Sequence, residues 1–212
     1  MRIIQMLYLL HNSPAPMNSL SFDQLLFQFF NGRHTPFFDW LMTFASNPYT
    51  WIPVYFIVVV MLIRALKFMN PSYIVTNVSL IAVCMFLMIC TCMNGLPHVF
   101  ELFISRVKPC YDVALSSTIR TIGDVCNHKY GFYTFKTGTV FAISTFLWMA
   151  FEDQPKWLRF LLVSWALIVA YSRVYMGAHY PVDVLVSAFS GIFVGYLTYR
   201  IYYYLKDSVL VV

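Results

Sequence analysis

The sequence predicts an all-α fold, a polytopic bundle of five to six membrane helices, and three observations carry that prediction. Of 212 residues, 60% are hydrophobic and 11% are charged, and the mean hydropathy is +0.68. No soluble core accounts for such figures. The apolar residues fall in runs long enough to cross a bilayer. Charged residues, Pro, Gly and Asn gather between the runs, where Trp and Tyr mark interfaces.

Taken in order, residues 1–20 read as an N-terminal arm, because the apolar part of MRIIQMLYLL is too short to span and HNSPAP offers no convincing signal-peptide cleavage site. Ser21 to Phe30 puts apolar residues on a helical stripe with Asp23 and Gln24 opposite, as in a helix lying in the interface, and Asn31-Gly32 ends it. Residues 36–46 are a second short apolar piece, with Asp39 inside, that lies along or dips into the membrane. Spans are expected at 51–66, 73–93, 134–151, 157–171 and 182–204, the second followed by Gly95, Pro97 and a short helical segment to Val107. Lys108 to Lys129 is the longest polar stretch, too polar for hydrocarbon, with Asp112, Arg120, Asp124 and His128. One membrane domain therefore covers 21–206, and 207–212 is a tail.

A net charge of +5 fits anionic headgroups or phosphate, so the expected partners are the membrane and a phosphorylated membrane lipid. Nucleic acid is excluded, since the basic residues are scattered without a tract or motif. If the five spans alternate, Arg64, Lys67, Lys156, Arg159, Arg200 and Lys206 share one face and Lys108, Arg120, Lys129 and Arg173 the other. The rule that basic loops stay inside is nearly balanced here unless the second group binds phosphate. Of five cysteines, Cys84, Cys90 and Cys92 read as packing, whereas Cys110 and Cys126 flank the polar loop and can pair if it faces an oxidising compartment. No spacing suggests a metal site, no cofactor is expected, and His11, His34 and His98 each lack a spaced partner.

The stretch that concentrates chemistry is Ser172 to Asp183, SRVYMGAHYPVD, between two apolar spans. Asp183 follows His179 by four residues, which on a helix puts both on one face, and Pro181 suits a first helical turn. Asp183 would then take the Nδ1 proton of His179, leaving Nε2 as nucleophile or base, while Arg173 offers paired donors to a phosphate. The alternative is that these groups only satisfy one another at a membrane interface.

Ser-Arg, five residues, His, three residues, Asp resembles the third signature of the type 2 phosphatidic acid phosphatase and haloperoxidase superfamily. The chain from about Phe22 to Tyr204, with its NGRHTPFFDWLM, ISRVKP and KYGF segments, is similar to the bacterial membrane branch that acts on lipid A and undecaprenyl pyrophosphate. The resemblance starts after Met17, which suggests that the first sixteen residues are a loose arm or precede the true start. It implies a nucleophilic His179 oriented by Asp183, phosphate ligands Arg173, Lys108, Lys136 and Ser172, and a second histidine that protonates the leaving oxygen. It also implies a bacterial inner membrane protein whose site faces the periplasm.

Two signatures depart from the family. The first puts Lys108 on an arginine position and Glu101 on a lysine position; a carboxylate about 4 Å from a phosphate oxygen is repelled by on the order of 4 kcal/mol per unit charge at an effective dielectric near 20. In the second, alignment on Tyr130-Gly131-Phe132 replaces the acid histidine by Lys136, and a second register, Lys136-Thr137-Gly138-Thr139, puts Thr139 there. Matching the aromatic lead and Phe141 favours the first register. A Glu101–Lys136 ion pair is therefore expected, with His128 as an alternative displaced acid. An active lipid phosphatase and a catalytically impaired member that binds a lipid or a membrane partner both remain open.

Overall fold

A computed structural model describes residues 20–52, 56, 60, 71–123, 125–150 and 156–210. The helices are α1 (Phe22–Asn31), α2 (Pro36–Ser46), α3 (Pro71–Cys90), α4 (Leu96–Phe103), α5 (Phe135–Ala150), α6 (Lys156–Tyr175) and α7 (Pro181–Leu210). No strand occurs among the described residues; a single antiparallel bridge joins Val107 and Tyr130. The expected span at 51–66 and the arm at 1–19 fall mostly or wholly outside the described residues. The other four expected spans are helices. Three stretches, Tyr73–Phe103, Lys156–Tyr175 and Pro181–Ser208, are long and apolar enough to cross a bilayer. This is an integral membrane protein with an all-helical fold.

Local chemistry sets the short helices. Ser21 and Gln24 form a reciprocal capping box at the start of α1, while Thr35 caps α2 and Pro36 opens it. Both leave large aromatics exposed, among them Phe22, Phe29, Phe37, Trp40 and Phe44, as suits helices at an interface. The helix from α3 runs on through a π turn at Thr91–Gly95 into α4, where Pro97 withholds an N–H from the ladder. The short segment after the second span thus ends at Phe103, four residues before the expected Val107.

The main core is built where α5, α6 and α7 meet α3, around Met88, Ile143, Phe146, Leu162 and Trp165. Gly191 and Gly195, one turn apart on α7, allow its backbone to lie on α5. A Cβ at Gly191 would stand 2.3 Å from the Gly138 carbonyl oxygen, and one at Gly195 would stand 2.4 Å from that of Ala142. This close seam fixes the start of α7, and with it Asp183, against the start of α5, and with it Lys136.

The polar loop is bound to the same end. Its base closes through Lys108 N–H to the Lys129 carbonyl at 2.9 Å and Gly131 N–H to the Arg106 carbonyl at 3.0 Å, and Cys110 and Cys126 form a disulfide. Arg120 grips Asp39 of α2 through two bonds of 2.8 and 2.6 Å, and Asn31 donates to the Arg120 and Tyr175 carbonyls. The Arg120 guanidinium, more than the Tyr175 hydroxyl, holds the half-buried Asp39 carboxyl down at about 2.

Candidate active site

The Ser172–Asp183 stretch folds as the end of one helix, a turn and the start of the next. At the end of α6, Gly177 has φ of +78°, and its N–H reaches the Val174 carbonyl at 3.1 Å while Ala178 N–H reaches that of Arg173 at 3.0 Å. These are the paired bonds of a Schellman cap, which needs a left-handed residue at this position. A Cβ at Gly177 would also lie 2.7 Å from the Arg120 carbonyl oxygen of the polar loop. The turn then places His179 beside the end of α6, with its N–H 3.3 Å from the Arg173 carbonyl. Pro181 opens α7 as expected, and Asp183 in the first turn accepts the Tyr180 N–H at 3.0 Å.

One expectation is corrected here. His179 precedes α7, so the four-residue helical spacing does not apply, and its Nδ1 stands 3.8 Å from Asp183 Oδ2, beyond hydrogen-bond reach. Both carboxylate oxygens are otherwise engaged: Oδ2 by Tyr180 N–H and Oδ1 by Arg106 Nη1 at 2.6 Å. Nδ1 has no hydrogen-bond partner among the described residues.

His179 and Arg173 are each 7% exposed and Asp183 is fully buried. Burial, ahead of the nearby Arg173 and Lys108 charges, pushes the His179 pKa down, against the pull of Asp183. The imidazole is therefore neutral at neutral pH, the form with a lone pair to give. Burial, then Arg173, also lowers the Lys108 pKa, with Glu101 acting the other way.

Arg173 Nη1 donates to Ser46 Oγ at 2.7 Å, and Lys136 Nζ donates to the Ser46 carbonyl at 2.9 Å and Oγ at 3.2 Å. The two cations thus converge on the last residue of α2, where a helix leaves its carbonyls unpaired. Lys136 is spent on Ser46 and not on Glu101, which is exposed on α4; the expected Glu101–Lys136 pair is not formed. In the second register, Thr137 is buried and Gly138 makes room for the Tyr133 hydroxyl and for α7, so those residues serve packing, while Thr139 lines a cavity. The Ser172 hydroxyl turns back to the Val169 carbonyl at 2.7 Å, a bond it would have to leave to meet a phosphate. His128 is exposed.

Sequence reasoning missed Arg106, Asp23 and Ser46. Arg106 lies over the Tyr180 ring, 4.1 Å from its centroid, and bridges Asp183 and Asp23, while Asp23 also accepts the Val182 N–H at 3.0 Å. The signal was an arginine inside ISRVKP and a lone carboxylate on an otherwise apolar helix. Beside Ser46 and Lys136 opens an apolar cavity of about 620 Å³, lined by Ile81, Met85, Phe135 and Trp165 among others.

A family model described as the PAP2 superfamily matches residues 77–207, which include all of this cluster except Asp23 and Ser46. The chain belongs to the PAP2 superfamily. Lipid A 4'-phosphatases of Bacteroides thetaiotaomicron and Porphyromonas gingivalis are 26% and 25% identical to it over 84% and 89% of this chain, and over 76% of each relative. An undecaprenyl-diphosphatase of Sulfolobus acidocaldarius is 33% identical over 69 residues, 32% of this chain and 34% of that protein. The crystal structure of Aquifex aeolicus LpxE shares the fold, with a TM-score of 0.54 and 21% identity over 87% of this chain and 98% of that one. The family resemblance read from the SR…H…D stretch is thereby established for this PAP2 chain.

Proposed function

We propose that this protein is a membrane phosphatase of phosphorylated lipids that uses His179 as its nucleophile. The observation that carries the reading is a buried imidazole held beside two buried or half-buried cations, Arg173 and Lys108, the first of them bonded to Ser46, which lines an apolar cavity. Its lipid-phosphatase relatives support the substrate class, phosphorylated lipids of the lipid A or undecaprenyl pyrophosphate type, and phosphatidic acid is the third candidate.

His179 Nε2 attacks phosphorus, and the bond from phosphorus to the lipid oxygen breaks with its electron pair going to that oxygen. Water then attacks the phosphohistidine, the N–P bond breaks, and free phosphate leaves as the imidazole recovers its lone pair. Arg173, Lys108 and Lys136 stabilise the charge on the equatorial oxygens, and the hydrocarbon chain lies in the apolar cavity. Asp183 steadies His179 once a small ring rotation closes the 3.8 Å gap. With Lys136 where the family has its acid histidine, the site lacks the second histidine that would protonate the leaving oxygen. A leaving group that is itself a phosphate departs as a stable anion, so a lipid diphosphate is the favoured substrate over a monoester. The Cys110–Cys126 disulfide on the site's side of the membrane supports a periplasmic orientation in a bacterial inner membrane.

The second reading, a lipid-binding member without turnover, draws on the unbonded Nδ1 of His179 and on the engagement of Lys136 with Ser46. Phosphate release from undecaprenyl pyrophosphate, lipid A and phosphatidic acid by detergent-purified protein, beside His179→Ala of equal folding, separates the two. Release that vanishes in the variant, fastest from the diphosphate, is expected; no release from any lipid leaves the binding role.

A further inference from the structure

Asp183 shares its charge. Arg106 reaches it from the segment after α4, with Nη1 at 2.6 Å from Oδ1, and its other terminal nitrogen is paired with Asp23 of α1. Asp23 in turn accepts the Val182 N–H, so one short interfacial helix is tied both to the arginine and to the first turn of α7. The guanidinium stacks over Tyr180, whose hydroxyl donates to Asp112, itself held by Gln24 of α1 at 2.8 Å. With one carboxylate on each of its two terminal nitrogens, the guanidinium is held in orientation by Asp23 and Asp183.

From this arrangement we infer that Arg106 is a positioning residue: by dividing its charge between Asp23 and Asp183 it governs how strongly Asp183 attracts a proton on His179, and it makes helix α1 part of the nucleophile's support. The inference rests on the reading of His179 as nucleophile. The groups that face His179 are Asp183 from α7, Arg173 from α6 and Lys108 from the polar loop; Arg106 acts on it through Asp183, Asp23 through Arg106, and Lys136 of α5 stands beyond Arg173. In a buried cluster, a change of one unit charge on Arg106 or Asp23 is weakly screened and is felt at the imidazole.

The two ends of the relay have opposite signs. Arg106→Gln leaves Asp183 with its full negative charge, so His179 protonates more readily and its titration midpoint rises by about one pH unit. Asp23→Asn gives Arg106 to Asp183 alone, so the midpoint falls. Arg106→Lys keeps the charge without the fork and stays closer to the unaltered protein than the glutamine variant does. A merely structural role predicts another pattern, because loosening the cluster admits water and raises the midpoint in both variants.

The test is the histidine titration followed by nuclear magnetic resonance on 15N-histidine-labelled full-length protein in detergent, with the His179 signal assigned by its loss in His179→Gln and folding matched by thermal melting. It is paired with the acid limb of kcat/KM for undecaprenyl pyrophosphate. Opposite shifts in Arg106→Gln and Asp23→Asn, followed by the acid limb, support the relay. Shifts of one sign, or none, in folded variants overturn it. If the unaltered protein hydrolyses nothing, the proposed function fails while the titration still decides the relay. Should Arg106→Gln not fold, Asp23→Asn and Arg106→Lys carry the same test: the relay requires a fall in the first and a smaller shift in the second.

Discussion

Arg173 and Ser46 meet at 2.7 Å, a guanidinium nitrogen of α6 donating to a hydroxyl that ends α2, 127 residues away in sequence. Lys136 approaches the same residue, so the two oxygens of Ser46 sit where cations of a phosphatase site would meet phosphate oxygens.

Ser46→Ala should therefore act with opposite signs on stability and on anion binding. Removing the hydroxyl leaves a buried guanidinium nitrogen without its partner, at a cost of about 1–3 kcal/mol in stability. It also removes an internal competitor for Arg173, so vanadate or inorganic phosphate should bind more tightly. Thermal melting and anion titration in detergent check the two signs, and weaker anion binding would mean that Ser46 is itself a phosphate contact.

The pH dependence follows from the two lowered pKa values. Burial places the His179 pKa below its ordinary 6.5, so the imidazole stays neutral to a pH below that value, and with His179 as the proposed nucleophile the rate should hold to the same point. Lys108 lies below its ordinary 10.5 and loses its proton earlier than a free lysine, so the alkaline limb should start below that value too. A kcat/KM profile against pH checks both limbs. An acid limb at or above 6.5 would mean that His179 is more hydrated, or more strongly coupled to Asp183, than the structure has it.

How much of this was legible in the chain depends on the range of the interaction. The helices followed from apolar runs and caps such as Thr35-Pro36 and Ser21 to Gln24, because helical hydrogen bonds and capping are local. The SR…H…D stretch was legible for the same reason. His179 and Asp183 did not share a helix face because the cap at Gly177 ends α6 and α7 starts only at Pro181, which a count of four residues does not reveal. Arg106 with Asp23, and Ser46 with Arg173 and Lys136, join residues some 83 to 127 apart, where periodicity carries no information. Glu101 was paired with Lys136 because the two carry opposite charges on altered signature positions, whereas the unpaired carbonyl at the end of α2 was the nearer acceptor.

Because Glu101 and Lys136 do not touch, charge changes at the two should not depend on each other. In a double-mutant cycle of Glu101→Lys and Lys136→Ala, the effects on anion affinity should add to within about 0.5 kcal/mol. A coupling of several times that size, measured by titration of the four proteins, would restore the ion pair.

The seam between α5 and α7 offers the sharpest test of the fold, since it depends on an absent side chain. A Cβ at Gly191 would press on the Gly138 carbonyl oxygen at 2.3 Å, and that oxygen belongs to a helix backbone that cannot turn aside. Gly191→Ala should therefore part the helices and cost about 1–3 kcal/mol through overpacking, despite alanine's better helix propensity. Phosphate binding should weaken with it, because the same seam fixes Asp183 on α7 relative to Lys136 on α5. Phe189→Ala, two residues away and so on the opposite, exposed side of α7, is the control that should change neither. Melting of both variants in one detergent, with anion titration alongside, decides the matter; an alanine at 191 as stable as glycine would mean that α5 and α7 stand further apart than this packing allows.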